Sequence, residues 1–176
     1  LELEIAPTMD GKRSDASKIP LGDAYVRMND LIASYPETAP WPFGYQVDVR
    51  SVDVHESHCA CLEIWLSVQT SLLDSYPQLS VQVPKHAFSE RNQGTWISDD
   101  HRFCLAVHPL DLSDCQISFS RAEQSAVAML VFGRFMEKGV LRRMRFRLFA
   151  SESPQSESFW SHQQEQFSRS PLPLTT

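Results

Sequence analysis

Three groups of residues in this chain are of the types that do chemistry. The first is Asp99-Asp100-His101, preceded by His86 and followed by His108. A histidine beside a carboxylate is the raw material of a general base or a metal site. The second is His55-Glu56-Ser57-His58-Cys59-Ala60-Cys61. Histidine and cysteine are zinc and copper donors. On a strand Cys59 and Cys61 share a face, whereas His58 points the other way. No second Cys or His pair follows at finger-like spacing, so the expectation is reduced cysteines and no metal.

The third group is Arg142-Arg143-Met144-Arg145-Phe146-Arg147. Alternation on a strand puts Met144, Phe146 and Leu148 on one face and Arg143, Arg145 and Arg147 on the other. A row of guanidinium groups suits carboxylate or phosphate recognition by paired hydrogen bonds. The competing reading pairs the row internally with Asp48, Asp53 or Glu63 on neighbouring strands. Asp111-Leu112-Ser113 lies before the arginines, the reverse of the order in the cyclic-dinucleotide-binding PilZ domains. Gln116 also stands where that motif has glycine, so that family is set aside.

These residues need a frame. With 176 residues, 42% hydrophobic and 22% charged, the chain has the composition of one ordinary globular domain. Its net charge of −6 argues against a general nucleic-acid binder. Four cysteines do not make a disulfide scaffold, and no apolar run approaches a membrane span. Leu1-Glu2-Leu3-Glu4 is unlike a signal peptide, and the expected location is cytoplasmic.

Residues 1–20 are polar, broken by Pro7, Gly11 and Pro20, and read as a flexible arm in which Leu3 and Ile5 could add an edge strand. Over 21–35, Leu21, Ala24, Tyr25, Met28, Leu31, Ile32 and Tyr35 repeat at helical spacing. An amphipathic helix is expected there, buried through Met28, Leu31 and Ile32. The segment from Pro36 to Gly44 is stiffened by prolines and carries Trp41 and Phe43.

Alternation then takes over. Strands are expected around 47–54, with a phase slip near Arg50-Ser51, and then over 58–68 and 79–83. Residues 85–100 read as a surface loop. Further strands are expected at 103–107, 115–119, 126–136 and 140–150, the last two joined as a hairpin through Glu137-Lys138-Gly139. Residues 151–176, rich in Ser, Gln and Pro, read as a disordered tail in which Phe159, Trp160 and Phe167 stand out.

The expectation is therefore α+β: one N-terminal amphipathic helix on a strongly curved, mostly antiparallel sheet or barrel of about seven strands, spanning 21–150. The leading functional expectation is a non-catalytic binding or interaction domain, without a cofactor, for a small anionic ligand or a protein partner. Arg143, Arg145 and Arg147 are the candidate ligand-binding residues. The alternatives are a small enzyme using Asp99, His101 and His108, and a structural module of a larger assembly.

Overall fold

The computed structural model describes residues 3–9, 12–13, 19–54, 58–84, 88–92, 94–119 and 126–171. Thirteen strands are assigned among them: β1 (Glu4–Met9), β2 (Lys12–Arg13), β3 (Asp23–Arg27), β4 (Asp30–Tyr35), β5 (Gly44–Val52), β6 (Cys59–Gln69), β7 (Gln78–Pro84), β8 (Phe88–Asn92), β9 (Thr95–Ser98), β10 (Phe103–Val107), β11 (Cys115–Phe119), β12 (Ala126–Phe132) and β13 (Leu141–Ser151). A 3-10 segment, Pro109–Asp114, follows β10, and one helix, α1 (Glu157–Ser168), closes the described chain.

The strands form two open antiparallel sheets. The large one runs β3-β4-β5-β6-β13-β10-β9-β8 and the small one β11-β12-β7-β1-β2. Alternation explains how they meet. Ile64, Leu66 and Val68 of β6, Met144, Phe146 and Leu148 of β13, and Leu105 and Val107 of β10 share one face of the large sheet. They pack on Leu79, Val81 and Val83 of β7 and on Met129 and Val131 of β12. Each sheet covers the other's apolar face, as in a sandwich.

This overturns the helix-on-barrel expectation. Residues 21–35 form the β3–β4 hairpin, with Met28 in its turn at φ +56°. Its short run of apolar residues fits both periods, and aromatic and β-branched Tyr25, Val26 and Ile32 favour the strand. Met28, expected in the core, is 91% exposed at the hairpin tip. No barrel closes, because the two sheets keep separate edge strands.

Other boundaries move as well. Within the expected arm, β1 pairs with β7 as a strand of the small sheet. β5 stays in unbroken register with β6 through Arg50 and Ser51, so there is no phase slip. The expected loop over 85–100 contains β8 and β9, and Trp96 and Ile97 of β9 are buried. Strands β12 and β13 are not a hairpin, because they lie in different sheets. The chain crosses between them past buried Met136, whose N–H donates to Ser75 O at 2.8 Å, and turns at Gly139, φ +80°.

The tail expected to be disordered carries α1. Ser156 caps it, its Oγ accepting from the Phe159 N–H at 3.1 Å. Trp160, Gln163 and Phe167 are spaced to share one face, and all three are buried. Trp160 and Phe167 pack with Cys61, Ile97, Cys104, Ala106 and Phe149 on the outer face of the large sheet. That face thus has a part roofed by α1 and a part left open.

Candidate ligand-binding site

Register sets the outer face of the large sheet in rows. Arg143 of β13 lies opposite Ser67 of β6, which lies opposite Gln46 of β5 and then Ser34 of β4. Arg145 continues the row Trp65, Asp48, Ile32, and Arg147 the row Glu63, Arg50, Asp30. The three arginines therefore share a face, as their spacing requires, but meet different surroundings.

Arg147 is paired internally. Its Nε donates to Glu63 Oε2 at 2.8 Å and its Nη2 lies 2.7 Å from the same oxygen. Trp65 Nε1 donates to Glu63 Oε1 at 2.9 Å, so both carboxylate oxygens are used. The guanidinium sits 4.5 Å from the centroid of Phe167 of α1, an aromatic face that favours a cation.

Arg145 is 2% exposed. Its guanidinium lies between the rings of Trp65 and Phe167, at 5.4 and 5.8 Å. Nη2 is 2.8 Å from His108 Nε2, and Nη1 donates to Pro171 O at 3.4 Å. A guanidinium has no acceptor, so His108 Nε2 must accept. The Leu110 N–H lies 3.3 Å from the other ring nitrogen, Nδ1. Burial, reinforced by the Arg145 charge, accordingly holds the His108 pKa below its ordinary value. Asp111 accepts from the Arg145 backbone N–H at 3.0 Å, and burial pushes its carboxyl above the usual range.

Arg143 is the exposed member of the row. No carboxylate pairs with it among the described residues. It lines a cleft of about 650 Å³ on the open part of the outer face, with Asp23, Ser34, Gln46, Ser67 and Gln69 among the other lining residues. Gly44 also lines it. A Cβ at Gly44 would come 3.2 Å from Tyr35 O and 3.3 Å from Glu37 N, so its bare backbone lets the 35–37 segment approach. Glu37 accepts from the Ser71 N–H at 3.0 Å and from Ser71 Oγ at 2.7 Å, tying that segment to the turn after β6. In the next row, burial and then Asp30 raise the Asp48 carboxyl, while Arg50 and Arg143 oppose the shift.

The structure does not bring the histidine candidates together. Asp99 and His101 lie in the β9–β10 turn, where the His101 N–H donates to Ser98 O at 2.8 Å. Asp100 Oδ1 accepts from Ser98 Oγ at 2.6 Å and from the Arg102 N–H at 3.1 Å, which shapes that turn. His108 follows β10 at its other end, roughly 20 Å away at the rise of an extended chain. Among the cysteines, Cys61 and Cys104 lie opposite Phe149 from its two sides, under α1. Burial pushes the Cys61 thiol up to about 12, and the Cys104 thiol rises for the same reason. No cluster of metal-ligand side chains occurs among the described residues. His58 is exposed, with Nδ1 3.3 Å from Glu152 Oε2. His55, Glu56, Ser57 and His86 lie outside the described residues.

Sequence reasoning found the Arg row but not its neutral companions. Ser34, Gln46, Ser67 and Gln69 carry no signature of their own. Only long-range register shows that they share a cleft with Arg143. No helix among the described residues is long and apolar enough to cross a membrane.

No family model matches the chain, and no curated protein matches it. Among solved structures it is similar to a heparinase III gene product, with 13% sequence identity and a TM-score of 0.46 over 86% of this chain. The match spans 24% of that protein's length. A likeness this distant carries no argument about what the chain does.

Proposed function

We propose that this chain is a non-catalytic binding domain that receives a small anionic ligand in the outer-face cleft. Arg143 supplies the cation, and Gln46, Gln69, Ser34 and Ser67 supply the neutral hydrogen-bonding groups. The observation that supports this most is the separation of the Arg row. Arg147 and Arg145 are committed to internal partners, while Arg143 is exposed on a polar cleft. Among the described residues no carboxylate pairs with Arg143, and beside the amides and hydroxyls of Gln46, Gln69, Ser34 and Ser67 it is suited to a carboxylate or phosphate on a polar body, with Asp23 and Glu37 lining the same cleft.

The test is an amide-resolved NMR titration with citrate, glucuronate, inorganic phosphate and neutral glucose as probes. At least one anionic probe should shift Ser34, Gln46, Ser67 and Arg143, glucose should not, and Arg143→Gln should abolish the response. Anion-induced shifts that avoid the cleft, or that persist in Arg143→Gln, would refute the assignment.

A further inference from the structure

The large sheet ends at β3, which has a strand neighbour on one side only, β4, among the described residues. All five residues of β3 are exposed, including Tyr25 and Val26, at 47% and 70%. An unprotected edge with apolar side chains is a template for another strand. Which strand would fit can be read from the hairpin.

Arg27 and Asp30 flank the Met28-Asn29 turn and face each other in register. In a two-residue hairpin that flanking pair exchanges both backbone hydrogen bonds. By alternation Arg27, Tyr25 and Asp23 turn their backbone groups inward to β4. Ala24 and Val26 therefore turn theirs outward, toward the free edge.

We propose that this edge is a homodimer interface, with β3 pairing antiparallel to β3 of a second copy about a two-fold axis at Tyr25. This is the register in which the sequence complements itself. Ala24 and Val26 face Val26 and Ala24 of the second copy and exchange the outward backbone bonds. Tyr25 faces its own copy. Asp23 faces Arg27 of the second copy, and Arg27 faces Asp23, both in the close, non-hydrogen-bonded positions where side chains meet. A two-fold interface must be self-complementary in this way. Among the described residues no ion pair engages Asp23 or Arg27; Arg27 lies opposite Asp30 and its charge acts on that carboxylate, but the direct pair Asp30 makes is with Arg50, Nε to Oδ1 at 2.6 Å. Because Asp23 also lines the cleft, Arg27 of the second copy would stand at its rim.

The interface is short, so the dimer is weak and concentration-dependent, and sedimentation velocity over a wide protein range is the measurement. Asp23→Arg alone and Arg27→Asp alone each place like charges opposite one another and should weaken dimerisation roughly tenfold. The double variant should restore it. Mixing the two single variants should also restore it, as a heterodimer, because opposite charges then meet at both positions. Val26→Pro, which removes an outward N–H at an edge where proline is tolerated, should leave a monomer with unchanged circular dichroism. Three results would overturn the proposal: a wild-type chain monomeric throughout, a dimer indifferent to both single swaps, or no rescue in the double variant and the mixture.

Discussion

Arg147 of β13 and Glu63 of β6 lie directly opposite one another, and the guanidinium donates through Nε to Oε2 at 2.8 Å. Both side chains are largely buried, Glu63 to 5% exposure. Removing one partner of such a pair strands a charge, whereas replacing both with apolar groups need not. Glu63→Ala should destabilise the domain by about 3–5 kcal/mol in urea unfolding. Glu63→Leu combined with Arg147→Met should recover most of that loss.

Arg143 is expected to behave in the opposite way. It is exposed and no carboxylate pairs with it among the described residues, so Arg143→Gln should change unfolding free energy by less than about 0.5 kcal/mol. Arg147→Gln in the same assay should be clearly destabilising. Equal losses for the two would contradict the division of the row between structure and binding.

Helix α1 should be an integral part of the domain. Trp160 and Phe167 are fully buried against Phe149, Ile97 and Cys104. Trp160→Ala should cost about 3–5 kcal/mol. Removing residues 152–176 should lower the melting temperature by many degrees, because it uncovers that apolar surface together with the Arg145 and Arg147 guanidinium groups. A truncated chain with unchanged melting would show that the helix only rests on the sheet.

His108 gives a pH dependence of defined sign. Burial first, and the Arg145 charge second, lower its folded-state pKa, while the Ser168 backbone and Glu63 oppose the shift. The unfolded chain then binds the proton more readily than the folded one. The associated stability is present above the unfolded value, about 6.5, and is lost as pH falls through the lower folded one. Asp48 and Asp111, whose carboxyls are raised, act in the opposite direction. The informative quantity is therefore the difference between wild type and His108→Gln. From pH 7.5 to 5 the wild type should lose more stability than the variant, followed by urea unfolding at each pH. Parallel curves would show that His108 is not held neutral.

Alternation in the sequence was enough to place several strands, because period-two patterning survives when one face is buried: β6, β7, β10 and β13 lie close to where it puts them. It also put Arg143, Arg145 and Arg147 on one face. Where local patterns were short or ambiguous, tertiary contacts decided. The 21–35 segment fits both periods over so few residues, and pairing of β4 with β5 makes it a hairpin. The Ser- and Gln-rich tail hid a helix, since Trp160 and Phe167 are too few to advertise an apolar face until Phe149 and Cys104 provide the surface they cover. The different surroundings of the three arginines could not be read locally at all. Strand geometry makes them equivalent. Glu63, His108 and Phe167, brought in from 84, 37 and about 20 residues away, bury two of them and leave the third on the cleft.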